Sequence, residues 1–291
     1  MKGITATDLI VNPDGSIYHL KLHPGDVADT IITVGDPGRV EQVSRYFDRI
    51  EITKSNREFI THTGFIGKKR VTVISTGIGT DNIDIVLNEL DAVVNINLQT
   101  REPFAALKSL NLIRIGTSGA LQRDIPVDSV VVSSEAIGLD NLMHFYKQNV
   151  DDNKQDLLDA FKSATAHYKG IDPYIASANR LLLDKLANGL ATGITLTSPG
   201  FFAPQGRKLR APVAFAGFLG ELAQIEIFGK KITNFEMETA GLYGLAAVLG
   251  HRGISFNVIL ANRTNNSFSA DPAKAIDNCI KVVLETLTDK L

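Results

Sequence analysis

The chain of 291 residues has one cysteine, no marked excess of charge of either sign and no long apolar run. Cys279 alone cannot close an internal disulfide, and no Cys/His cluster has the spacing of a zinc site. It falls on an apolar stripe with Ile276, Ile280, Val283, Leu284 and Leu287, so packing is its expected role. A net charge of −2 argues against a surface made to coat nucleic acid or an anionic membrane. Any anion site must therefore gather a few basic residues locally. No apolar stretch could span a bilayer and the first residues lack a signal-peptide core, so a soluble, cytoplasmic protein is expected.

Other absences concern chemistry. No G-K-[ST] follows a glycine pair as in a Walker loop, and there is no G-x-G-x-x-G dinucleotide fingerprint and no G-x-S-x-G elbow. The six histidines stand singly, which disfavours a metal-dependent hydrolase. His23, His62, His144, His167 and His251 are expected in surface or core roles, and His19, inside I-Y-H-L-K-L, stays a candidate.

What is present is an alternation of β-branched runs and helical periods, with 44% apolar residues to fill a core. Thr30–Val34 leads into G-D-P-G-R-V, and Val71–Ile74 into S-T-G-I-G-T. Leu112–Ile115 leads into G-T-S-G, Ser129–Val132 follows, and Ile254–Leu260 leads into A-N-R-T. Ile83, Val86, Leu87 and Leu90 share one helix face. This pattern predicts an α/β fold of three layers, α/β/α, around a mixed, largely parallel sheet. With no repeat or linker, residues 1–291 are expected to form one domain, residues 1–16 being an N-terminal extension. Residues 198–217, with three prolines and three glycines and no clear period, are expected to form a functional loop.

Ligands of open parallel sheets sit beyond the carboxyl ends of the strands. Several such ends here combine glycine with arginine, a pairing that suits a small anion such as inorganic phosphate. At N-F-E-M-E-T, residues 234–239, two carboxylates precede an uncharged run, Ala240–Leu249, that Gly250 can stop. Glu236 and Glu238 could simply answer the helix dipole or could serve a ligand.

Taken in order, H-L-K-L, G-D-P-G-R-V, S-N-R-E-F, S-T-G-I-G, R-I-G-T-S-G, F-F-A-P-Q-G-R, N-F-E-M-E-T and A-N-R-T resemble the landmarks of the uridine phosphorylases, in the nucleoside phosphorylase-I superfamily, over about residues 17–288. The resemblance implies phosphorolysis of uridine to uracil and α-ribose 1-phosphate, with no cofactor beyond phosphate as co-substrate. It implies a phosphate cradle of Gly35, Arg39, Arg114 and Thr117, joined by Arg57 from a neighbouring subunit of a homo-oligomer. Ribose would meet Glu236, Met237 and Glu238, with His19 from the partner at the 5′-hydroxyl. Phe201, Gln205, Arg207 and Arg263 would face the base, and Arg114, Glu238, Arg207 and Gln205 would carry the catalysis.

The chain departs from the family pattern in places. Ala203-Pro204 replaces Pro-Gly ahead of Gln205, and Gly206 replaces a bulkier residue. Some bacterial members hold a monovalent cation at the dimer interface. Glu58 matches one ligand of that K+ site, but Asp81-Asn82 stands at the other. The segment 91–109 reads as an insertion that bears on higher oligomer packing. A purine nucleoside phosphorylase or nucleosidase of the same fold, and a non-catalytic nucleoside-binding relative, are the alternatives. Asn262-Arg263, where purine-handling relatives commonly carry Asp, favours the pyrimidine reading.

Overall fold

The computed structural model describes residues 3–290, so residues 1, 2 and 291 of the expected domain lie outside it. Strand β1 (Thr30–Val34) is buried at every position, as an unbroken β-branched run between two parallel neighbours requires. Pro37 in the first turn and the Asp36 carboxylate, which accepts from the Gly38 amide at 2.9 Å, start α1 (Pro37–Ser44). An antiparallel meander follows: β2 (Arg49–Asn56), β3 (Phe59–Ile66) and β4 (Lys69–Ser75). Helix α2 (Thr80–Asn95) buries Ile83, Val86, Leu87 and Leu90, the face that the spacing predicts. The short pair β5 (Ile96–Asn97) and β6 (Glu102–Pro103) leads to β7 (Asn111–Ala120) and β8 (Val130–Gly138). Then come α3 (Asp152–Ala164), β9 (Tyr174–Ser177), α4 (Arg180–Leu186) and β10 (Ala191–Thr197). The last third runs α5 (Phe218–Leu222), β11 (Glu226–Ile227), β12 (Lys230–Glu236), α6 (Thr239–Val248), β13 (Arg252–Asn262), β14 (Ser267–Phe268) and α7 (Pro272–Lys290). Gly250, at φ 77°, ends α6 where the sequence places a stop.

The main sheet runs β11-β12-β10-β8-β13-β7-β1-β4-β3-β2. Parallel pairs link β4, β1, β7 and β13, and again β8, β10 and β12. Antiparallel pairs join β13 to β8 and form the β2–β3–β4 edge. The fold is thus the mixed α/β type expected, with helices on both sides. Helices α1, α4 and α7 cover Ile113, Ile115, Ile254 and Phe256. Helices α2 and α6 pack on the opposite side with Leu9, Ile17, Leu20 and Leu22, so the N-terminal extension contributes to a core.

One feature was not legible in the sequence. The far end of β7 also pairs antiparallel with β12, Phe235 opposite Gly119 and Asn234 opposite Ala120. Strands β7, β13, β8, β10 and β12 therefore close into a ring, and its interior is polar: Ser118, Asn257, Ser133, Thr195 and Asn234, one from each strand, are all buried. Two expected boundaries also shift. G-T-S-G is not a loop after β7 but its last turn of strand, held by pairing with β13 through Ala120. The segment read as an insertion from residue 91 starts as the last turn of α2, because Ala92 and Val93 extend that helix's buried face. Among the described residues no helix is long and apolar enough to cross a membrane.

Candidate active site

Several strand ends and one loop converge on a cavity of about 750 Å³. Gly35 follows β1, Gly77 follows β4, Arg114 to Gly119 belong to β7, and Glu236 to Glu238 join β12 to α6. Phe201, Gln205 and Arg207 enter from the 198–217 loop, which carries only a short 3-10 turn at Ala203–Gln205. Of the residues singled out by sequence, Gly35, Arg39, Arg114, Thr117, Phe201, Gln205, Arg207, Glu236, Met237 and Glu238 all line this cavity.

Arg114 is the best-held side chain in it. Nη1 donates to Asn257 Oδ1 at 2.9 Å and to Ser255 Oγ at 3.3 Å. Nη2 donates to the Glu238 carboxylate and lies 3.0 Å from Glu236 Oε2. Burial works against its charge, but the two carboxylates outweigh burial and raise its pKa. Gly116 makes this placement possible, since a Cβ there would overlap the Arg114 guanidinium. Arg39, on α1, is also buried and donates to the Ile115 carbonyl at 3.2 Å. Burial, and next the like charge of Arg114, lower its pKa. Two guanidinium groups sharing a buried wall are stabilised by an anion placed between them.

The two glutamates have different partners. Glu236 accepts the Thr197 hydroxyl at 2.6 Å and the amides of Glu238 and Thr239 at 2.9–3.1 Å, so it closes the N-terminus of α6. The helix-end reading therefore describes Glu236 well, although it also lines the cavity. Glu238 accepts the Gly79 amide at 2.8 Å and the Arg114 guanidinium. Burial pushes its carboxyl above the usual value and Glu236 adds to the rise, with Arg114 pulling the other way.

In the 198–217 loop, Arg207 Nη1 donates to the Phe201 carbonyl and to Gln205 Oε1, both at 2.6 Å. Its guanidinium carbon lies 3.6 Å from the centre of the Phe201 ring. Burial and the neighbouring Arg263 bring the Arg207 pKa down to about 10. Arg263 donates to the Gln205 carbonyl at 3.2 Å, so it braces the loop without lining the cavity. Asn262 is a backbone staple, donating to the carbonyls of Gln122 and Ile125 at 2.8 Å and accepting from Thr264.

Arg57 and His19 lie near one another, linked through Tyr18 and Asn56. Arg57 sits at φ 55° with its guanidinium carbon 5.8 Å from the centre of the Tyr18 ring. The His19 carbonyl accepts from Asn56 Nδ2 at 2.7 Å, and its Nδ1 is 2.6 Å from Glu89 Oε1. Neither lines this chain's own cavity. Glu58 does, 3.4 Å from the Asn82 amide nitrogen, and among the described residues no group of three His, Cys, Asp or Glu side chains could hold a metal ion. Ile78 and Ser118, which stand inside S-T-G-I-G and R-I-G-T-S-G without an assigned role, also line the cavity, as does Phe268, which no motif contains. An exposed apolar residue such as Phe268 carries no local signal in a sequence. Ser255 and Asn257, which hold Arg114, did leave one: two polar residues at period two inside the apolar run of β13.

The chain is 28% identical to a uridine phosphorylase of Thermococcus kodakarensis over 277 residues, covering 94% of this chain and 88% of the relative. It is 29% identical to a DeoD-type purine nucleoside phosphorylase of Myxococcus xanthus, covering 81% of each. Among solved structures, a nucleoside phosphorylase of Trypanosoma brucei that shows uridine phosphorylase activity superposes with a TM-score of 0.87 at 29% identity, over 97% of this chain and 100% of the other. The model of the phosphorylase superfamily matches residues 29–288, and the chain belongs to that superfamily.

Proposed function

We propose that this cavity performs the phosphorolysis of uridine, releasing uracil and α-ribose 1-phosphate as a pentosyltransferase of pyrimidine nucleoside salvage. The observation that carries the reading is one cavity lined together by Arg39 and Arg114, by Glu238 in contact with Arg114, and by Gln205 with Arg207. Phosphate would lie against Gly35, Arg39, Arg114 and Thr117, in reach of the two guanidinium groups. Ribose would lie over Met237 and Glu238, with Glu236 behind. A phosphate oxygen attacks C1′ as the C1′–N1 bond breaks, and the electron pair leaves on the uracil ring. Glu238, as a carboxylate, favours the positive charge that develops on the sugar. Gln205 and Arg207 stabilise the departing base anion by donating to its carbonyls, with Phe201 against the ring and Arg263 behind the loop.

Arg57 and His19 complete the site from a second copy of the chain, so the enzyme is a homo-oligomer, and a cytoplasmic setting goes with its substrates. A K+ would be held on this chain by the Glu58 carboxylate, which accepts from the Asn82 side chain at 3.4 Å, with further ligands from the second copy. The whole chain 1–291 is read as one domain. The test is uracil release from uridine with and without phosphate. Release that saturates with phosphate is expected. Release without phosphate would make the protein a nucleosidase, and activity confined to purine nucleosides would overturn the base assignment.

A further inference from the structure

A continuous chain of hydrogen bonds, donor to acceptor throughout, runs inside the β7–β13–β8–β10–β12 ring. Arg114 Nη1 donates to Asn257 Oδ1 at 2.9 Å, and Asn257 Nδ2 donates to Ser133 Oγ at 2.9 Å. Ser133 Oγ lies 2.6 Å from Thr195 Oγ1, and Thr195 donates to Asn234 Oδ1 at 3.0 Å. Asn234 Nδ2 donates to Ser118 Oγ at 3.1 Å, back at the cavity wall. Thr195 has one proton and gives it to Asn234, so the proton between Ser133 and Thr195 belongs to Ser133. Flipping the Asn257 amide would aim an NH2 group at a guanidinium and force the Ser133 and Thr195 hydroxyls to turn. The amide is thus locked with its oxygen toward Arg114.

The two ends of the Arg114 guanidinium therefore have unlike partners. Nη2 is held by carboxylates, one of which, Glu238, is the group that ribose hydroxyls would engage. Nη1 is held by neutral groups, Asn257 and Ser255, that no substrate would contact: neither lines the cavity. We propose that Asn257 is a positioning residue for phosphate use, the neutral anchor that keeps Arg114 aimed at the anion while Glu238 exchanges partners with the sugar. This rests on the reading that phosphate binds at Arg114. The register suits the role, since Asn257 stands opposite Gly116 and Ser255 opposite Arg114 in the parallel β7–β13 pair. The side chain of Arg114 can fold over the glycine onto both acceptors.

The test is steady-state kinetics of uridine phosphorolysis, varying phosphate and uridine separately, on the wild type, Asn257→Ala, Ser133→Ala and Arg114→Ala. Asn257→Ala is expected to raise the KM for phosphate by about tenfold, the loss of one hydrogen bond to a charged group. The KM for uridine stays within about twofold, since no base or sugar contact is touched. Ser133→Ala removes a small hydroxyl away from Arg114 and takes the nearer acceptor from the Asn257 NH2 group, leaving the Val131 carbonyl at 3.5 Å. It is expected to raise the phosphate KM in the same direction by about twofold to threefold. A folded Asn257→Ala enzyme with an unchanged phosphate KM, or with both KM values raised equally, overturns the proposal. If Asn257→Ala does not fold, Ser133→Ala decides it, an unchanged phosphate KM being the adverse result. Failure of the underlying reading looks different: turnover of the wild type would not saturate with phosphate, or Arg114→Ala would keep the wild-type phosphate dependence.

Discussion

Arg114 and Glu238 show what single residues contribute. Arg114 is buried between neutral and anionic acceptors, so removing it leaves Glu236 and Glu238 facing each other without their cation. Arg114→Ala is expected to weaken phosphate use by about 2–5 kcal/mol, read as the ratio of kcat/KM for phosphate. A wild-type phosphate dependence would remove Arg114 from the cradle. Glu238 makes a prediction in pH. Its carboxyl is raised by burial and by Glu236, so on acidification it takes up its proton earlier than an ordinary glutamate. Activity that needs the anion is lost as pH falls through that raised value, which puts the acid limb of kcat/KM above the usual glutamate range. Glu238→Gln should lower the rate throughout and abolish that limb; an unmoved limb would mean that another group titrates there. The stability contribution has the opposite sign, being greatest below the ordinary glutamate value and falling as pH rises through the raised one. Most of these residues were legible because arginines stand near glycines at strand ends and two glutamates stand just ahead of an uncharged helical run. Glu236 was only half legible: its capping bonds follow from where α6 begins, which the motif alone leaves open.

The elements that hold the site were read correctly where burial wrote a continuous pattern. The β-branched runs of β1 and β13, and the 3.6-residue faces of α2 and α7, can be seen without a structure because each buries a contiguous stripe. The exposed, mixed β2 could not, since its side chains meet water on much of their length. Nor could the length of β7, where Gly116 and Gly119 look like a turn but pair within a strand. Gly116→Ala tests what that glycine does. The added methyl would meet the Arg114 guanidinium and push it from Asn257. Overpacking of this kind costs about 1–3 kcal/mol. The expected result is a lower unfolding midpoint together with a raised phosphate KM, whereas a variant with wild-type values for both would mean that Arg114 has room to move aside.

For the whole molecule, the proposed function makes the site one shared between two copies of the chain. Arg57 and His19 do not line the cavity that Arg39 and Arg114 line, although Glu58 beside Arg57 does. Arg57→Ala and Arg114→Ala homo-oligomers should each be nearly inactive. When the two are unfolded together and reassembled at equal amounts, mixed pairs carry one intact site of two, and activity should return to about a quarter of wild type. No recovery would place Arg57 outside the reaction. The closing pair of β7 with β12 has a consequence for how such a protein can change. Anion wall and sugar wall are staves of one hoop, and neither can drift without breaking backbone bonds in the other. The 198–217 segment is bound by no such hoop. A shift in which base is accepted would therefore be engineered into that segment, while the reaction itself stays cast in the barrel.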